Sequence, residues 1–157
     1  MSNAKVTPKS FNEFFNELLE AVLAKDKIPV DIAKCPKLDG RCYRYIPTGI
    51  KDTHFEWYFD EKRKSFKIGI HFESTDANKN KLLFDIIWNS NNIIEEKTKE
   101  EVKILKHERN IWRGIYIEKQ TSELNEEVKE WAIKKMNIFY HAVNEEVKKF
   151  IRTLEKF

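Results

Sequence analysis

The stretch from Thr48 to Glu73, TGIKDTHFEWYFDEKRKSFKIGIHFE, leaves this chain little freedom in what it folds into. Two runs alternate apolar and polar residues with a period of two, the pattern of half-buried strands. Phe55, Trp57 and Phe59 share one face of the first run, and His54, Glu56, Tyr58 and Asp60 share the other. In the second run Phe66, Ile68, Ile70 and Phe72 alternate with Lys67, Gly69, His71 and Glu73. The DEKRKS segment between them carries charge and no apolar residue, as a solvated turn does. A register that sets Phe59 opposite Phe66 also pairs Trp57 with Ile68 and Phe55 with Ile70. Both apolar sets then face one way, and a slip of one residue would turn one of them into water. Each large apolar side chain contributes roughly 1.5–3 kcal/mol when fully buried, so the hairpin supplies a substantial part of a core.

The same register has a consequence on the opposite face. His54 lands opposite His71, with Glu56 and Glu73 as diagonal neighbours. Directly opposed residues have Cβ atoms about 4.5–5.5 Å apart. Two imidazoles and two carboxylates at that spacing could hold a divalent metal. In a chain with 35% charged residues, a wet sheet face produces such a set as well. Gly69 leaves backbone open to close approach beside them.

In chain order, Ser10 and Glu13 match a capping box, with Ser10 as N-cap. Phe11, Phe14, Phe15, Leu18, Leu19, Val22 and Leu23 follow at helical spacing, and the helix is expected to end near Lys25, ahead of Pro29. Residues 26–40 read as a loop. Arg41–Ile46 reads as a first strand, with Tyr43 and Tyr45 on one face and Cys42, Arg44 and Ile46 on the other. Ser74-Thr75-Asp76 is a capping cluster, and a helix is expected from about Ala77 to Glu96 with a kink or break at Asn89–Asn92. Val102–Glu108 and Ile111–Glu118 read as a second hairpin turning at Glu108-Arg109-Asn110. From Leu124 to Leu154 apolar residues step by three or four, the pattern of a long helix, for which a bend near His141–Asn144 is expected.

The expected order is therefore α-β-β-β-α-β-β-α. That is an α+β class chain with an antiparallel or mixed sheet of about five strands and helices mainly on one face. At 157 residues it reads as one domain over 10–157 behind a short tail, 1–9, in which Ser2-Asn3-Ala4 resembles a cloning remnant.

Composition narrows the function classes. The net charge is +3 with lysines and acids interspersed, so electrostatics alone do not imply nucleic acid. Cys35 and Cys42 lack a partner pair at zinc spacing and read as reduced thiols of a cytoplasmic protein. No secretory leader and no membrane span is legible. The four glycines are scattered singly, which excludes a glycine-rich phosphate loop, and no G-x-S-x-G elbow occurs. Glu101-Val102-Lys103 with the preceding Asp85 imitates a metal-dependent nuclease motif, but Asp85 falls in an expected helix. Glu-x-Lys triplets are also common by chance in such a composition.

The Thr48-Gly49-Ile50-Lys51-Asp52 turn, Phe55 in an alternating strand, the run IGIHFE, the amphipathic helix around Asn80–Trp88, the hairpin after it and the terminal helix together resemble domain-of-unknown-function family 4268. The likeness covers roughly residues 10–153. It implies a prokaryotic, cytoplasmic protein of a family found alone or fused to restriction-endonuclease-like nuclease domains, and so a link to nucleic-acid processing or defence. It implies nothing about histidines at His54 and His71.

The expected function is a non-catalytic binding or accessory module, with nucleic acid or a nuclease-type protein as partner. Tyr58 and Lys67, with Arg44, are the candidate binding residues on the open sheet face, as exposed rings beside basic residues suit RNA bases. The alternative is a metal-dependent hydrolase or nuclease using His54, Glu56, His71 and Glu73, with a divalent metal as cofactor. A third reading has Trp112 and Tyr116 bury against a second copy in a homodimer. Lys134, Lys135, Lys148, Lys149 and Arg152 give the last helix a basic outer face.

Overall fold

The computed structural model describes residues 8–38, 40–105 and 111–155. The element order is α1 (Pro8–Leu23), β1 (Tyr43–Pro47), β2 (Thr53–Asp60), β3 (Ser65–Phe72), α2 (Ala77–Trp88), α3 (Asn91–Thr98), β4 (Lys103–Ile104), β5 (Arg113–Gln120) and α4 (Glu126–Glu155). The five strands form one antiparallel open sheet in the order β1-β2-β3-β5-β4. This is the expected α+β class, with one more helix than the sequence suggested.

The central hairpin adopts the register set by its apolar residues. Phe59 faces Phe66, Trp57 faces Ile68, Phe55 faces Ile70 and His54 faces His71. The turn is closed by the Asp60 carboxylate, which accepts from the Arg63 amide at 3.1 Å, and by Lys64 in a left-handed conformation, φ 53°. On the covered face Phe55, Trp57, Phe59, Phe66, Ile68, Ile70 and Phe72 are wholly or almost wholly buried. Phe14 and Phe15 of α1 pack their rings on Phe66, and Phe139 and Tyr140 of α4 pack on Phe55. The Trp57 indole donates to the Ala132 carbonyl at 3.2 Å, so even the one polar atom of that ring is satisfied against α4.

Local chemistry explains where the elements depart from expectation. Helix α1 begins at Pro8, not after Ser10: proline lacks the amide hydrogen that a first-turn residue would leave unsatisfied. After Leu23 the chain makes one 3₁₀ turn, Ala24–Asp26, in which Lys25 takes φ 55° and stops the helix. Asp76 caps α2 by accepting from the Asn78 and Lys79 amides. The segment from Ala77 to Thr98 is two helices, with the break at the start of the expected Asn89–Asn92 stretch. Asn89 and Ser90 interrupt it, and the Ser90 hydroxyl donates instead to Glu146 of α4 at 2.9 Å. The fully buried Asn80 accepts from the Ser74 amide and donates to the Ser74 and Ile111 carbonyls, fastening α2 to the end of the sheet.

The second hairpin is shorter on its outer side than the sequence suggested. β4 holds only Lys103 and Ile104, extended by the Leu105 amide donating to the Gly114 carbonyl; the expected turn Glu108-Arg109-Asn110 lies outside the described residues. α4 is a single helix of 30 residues that runs unbroken through His141–Asn144. Val128, Ala132, Met136, Phe139, Val143 and Val147 form one buried stripe along it, and that continuous seam keeps the helix whole.

Candidate functional site

The face of the sheet turned away from the helices carries Tyr43 and Tyr45 of β1, His54, Glu56, Tyr58 and Asp60 of β2, Lys67, Gly69 and His71 of β3, and Gly114, Tyr116 and Glu118 of β5. The register fixes this set: Tyr43 pairs with Tyr58, Tyr45 with Glu56, His54 with His71, Lys67 with Glu118 and Gly69 with Tyr116. Paired residues of neighbouring strands point to the same side.

Two clusters emerge. In the first, the His71 Nε2 lies 2.6 Å from Glu56 Oε2, and its Nδ1 lies 3.3 Å from Glu73 Oε1. The His54 Nε2 stands 3.8 Å from Glu56 Oε2 and 3.9 Å from Glu73 Oε1, too far for a hydrogen bond to either. That nitrogen is buried and has no hydrogen-bond partner among the described residues. The rings are stacked in a row. Tyr43 and Tyr45 lie 5.2 Å apart, Tyr45 and His54 3.9 Å, and His54 and His71 5.1 Å, all within 30° of parallel. Glu56 is 6% exposed, as inaccessible as many core side chains.

Burial alone would favour neutral forms, but the partners reverse it. Burial pushes the Glu56 carboxyl up, yet the hydrogen bond with His71 and attraction from both imidazoles bring it below the ordinary value. Burial pushes His71 down, while Glu56 and Glu73 hold its proton and raise it to about 9. The cluster at neutral pH is therefore an imidazolium held between two carboxylates.

In the second cluster the Lys67 ammonium lies over two rings, 5.0 Å from the centre of Tyr116 and 5.8 Å from that of Tyr58. It also pairs with Asp60 at 3.5 Å. Glu118 accepts from the Ser65 hydroxyl at 2.6 Å and pairs with Lys103 at 2.5 Å. A depression of about 590 Å³ beside Tyr43 and Tyr58 includes Arg41, Asp60 and Lys62 in its lining.

The structure thus brings His54, Glu56, His71 and Glu73 together, and it brings Tyr58 and Lys67 together. It does not bring Arg44 to them. Arg44 pairs with Trp57 on the helix-covered face, is 4% exposed, and donates from Nη1 to the Asn16 side chain of α1 at 2.9 Å. Inside the core it ties β1 to α1. Tyr45, Tyr116 and Lys103 belong to the open face and are absent from the sequence-derived set. The alternation of Tyr43 and Tyr45 was a legible signal, but their meeting with His54 depends on the β1–β2 register, which no apolar pattern in β1 fixes. Trp112 is half-buried ahead of β5, whereas Tyr116 stands on the open face. The basic outer face of α4 is partly neutralised: Lys135 pairs with Glu100, and Lys149 with Glu145 and Glu146.

A family model described as a domain of unknown function (DUF4268) matches residues 12–147, which contain all five strands and the whole of both clusters. The chain belongs to the DUF4268 family. No curated protein and no solved structure matches it. In this DUF4268 member no described helix is long and apolar enough to cross a membrane.

Proposed function

We propose that this DUF4268 protein is a non-catalytic binding module that takes single-stranded nucleic acid on the uncovered face of its sheet. The observation that carries this reading is the placement of Lys67 between the rings of Tyr58 and Tyr116, with Tyr43 opposite Tyr58 across the strand pair. Bases stack on tyrosine rings irrespective of sequence, and lysines between the rings meet the phosphates. The depression beside Tyr43 and Tyr58, with Arg41 and Lys62 in its wall, gives a strand a route off the sheet. The nuclease-domain fusions implied by the family resemblance fit an accessory role of this kind.

Filter binding of a labelled single-stranded oligonucleotide over a salt series tests it. Binding should weaken steadily between 50 and 200 mM salt. Replacing Tyr58 or Tyr116 by alanine should cost about 1–3 kcal/mol each, the worth of one base stacked on one ring. Binding that is absent at low salt, or that survives both substitutions unchanged, removes the reading.

A further inference from the structure

We propose that His54, His71 and Glu73 form a binding site for one divalent transition ion of the zinc class, with Glu56 as the residue that orients His71. Each of the three ligands offers a donor atom, and these atoms all lie within 4.8 Å of one another. The separations from Glu73 Oε1, 3.3 Å to His71 Nδ1 and 3.9 Å to His54 Nε2, compare with about 3.3 Å between ligand atoms around a tetrahedral ion with bonds near 2.0–2.1 Å. Closing the site needs the three donors to draw together around the ion and the His71 Nδ1 proton to leave to solvent as the ion takes its place.

Three further features separate this cluster from an ordinary polar sheet face. The first is the His54 Nε2, a buried nitrogen aimed among carboxylates without a hydrogen bond among the described residues. A buried polar atom left so is costly, and a metal ion at this point would satisfy it. The second is the division of labour at His71. Its Nε2 is engaged by Glu56 at 2.6 Å, while its Nδ1 points toward Glu73. Metal-bound imidazoles characteristically hold their far nitrogen against a carboxylate in this way, which fixes the tautomer and the ring plane. The third is rigidity. The His54 ring is clamped between Tyr45, 3.9 Å away, and His71, 5.1 Å away, so its donor is already positioned.

The donor set also selects the ion. Two imidazoles and one carboxylate suit zinc and its first-row neighbours, whereas magnesium and calcium take oxygen ligands. Three protein ligands leave a fourth position for solvent or a ligand. This site is independent of nucleic-acid binding and is assayed without it.

The test is titration of the chelator-treated full chain with zinc chloride by calorimetry, and with cobalt chloride by visible absorption. One equivalent should bind saturably, and magnesium chloride should give no heat. His54→Ala and Glu73→Gln should abolish that binding, while Glu56→Gln should weaken it about 10–100-fold, the effect of losing an orienting carboxylate. Glu145→Gln, on the outer face of α4, should bind as the parent does. Should His54→Ala fail to fold, the imidazole NMR signals of the parent decide. Those of His54 and His71 should shift with one equivalent of zinc while those of His141 stay put. No saturable binding to the parent chain, binding retained by folded His54→Ala and Glu73→Gln, or unmoved His54 and His71 signals would overturn the proposal.

Discussion

On one face of β2 and β3, Trp57, Phe66 and Ile68 lie wholly buried among carbon beneath α1 and α4; on the other face of the same strands, Glu56 is almost as inaccessible but is surrounded by imidazole and carboxylate. The first face is held by shape and by exclusion of water, which act without direction. The second is held by charge and hydrogen bonding, which depend on angle, protonation and the exact partner. One backbone therefore carries two kinds of stability, and they should respond to different perturbations.

The largest effect should come from the covered face. Trp57→Ala should cost about 3–5 kcal/mol, because it opens a cavity at the centre of the core and removes the indole bond to Ala132. Urea unfolding measures this. A loss below about 1 kcal/mol would mean that the helices do not depend on this ring.

Next comes a substitution that erodes the distinction between the faces. Gly69 lies on the open side, yet an added Cβ would sit 2.7 Å from the Ile115 carbonyl oxygen and 3.2 Å from the Tyr116 Cβ. The first of these is backbone and cannot swing away. Gly69→Ala should therefore destabilise by about 1–3 kcal/mol, as overpacking does. A neutral result would show that the β3–β5 seam opens easily.

The electrostatic face is sharpened by Glu56→Gln, expected to cost on the order of 1–3 kcal/mol at neutral pH, since it removes the charge from the closest acceptor of a buried imidazolium. Its signature is pH dependence in metal-free protein. His71 is raised from 6.5 to about 9, so its contribution is complete below pH 6.5 and is lost as pH rises through 9. Glu56 is lowered from 4.5, so its contribution is present above pH 4.5 and is lost as pH falls below that value. Thermal melts across pH should show the parent chain losing stability between pH 6.5 and 9, and Glu56→Gln losing less. Parallel curves for the two would break the assignment. Trp57→Ala should shift the whole curve and leave its shape alone.

The smallest effect should be at the hairpin turn. Arg63 is exposed and stands 3.9 Å from Asp60, so Arg63→Ala should change stability by no more than about 0.5 kcal/mol.

Legibility from the sequence divides along the same line. The hairpin register follows from Phe55, Trp57, Phe59 and their partners, because apolar side chains must all go to one side and only one pairing allows that. His54 and His71 met as a by-product of it. Arg44 shows the limit. Its strand pattern placed it with Ile46, away from the tyrosines, yet a charged residue is naturally assigned to a wet face unless its partner is known. That partner, Asn16, lies 28 residues earlier on α1, and no local pattern points to it. The break at Asn89–Ser90 was visible because those side chains compete for backbone hydrogen bonds nearby. The two-residue length of β4 was not, since Val102–Glu108 alternates well enough to suggest more.

Helix α4 engages the core from Val128 to Val147, and its remaining backbone runs on to Glu155. At 1.5 Å per residue those last eight positions reach about 12 Å past the final buried contact. Lys148, Lys149, Ile151 and Arg152 there are exposed, so amide exchange should quicken beyond Val147 while the stretch over the strands stays protected. The overhang also acts as a spacer: a label or tether fixed there would stand clear of the tyrosines on the far side of the molecule, which makes it the natural handle for surface immobilisation.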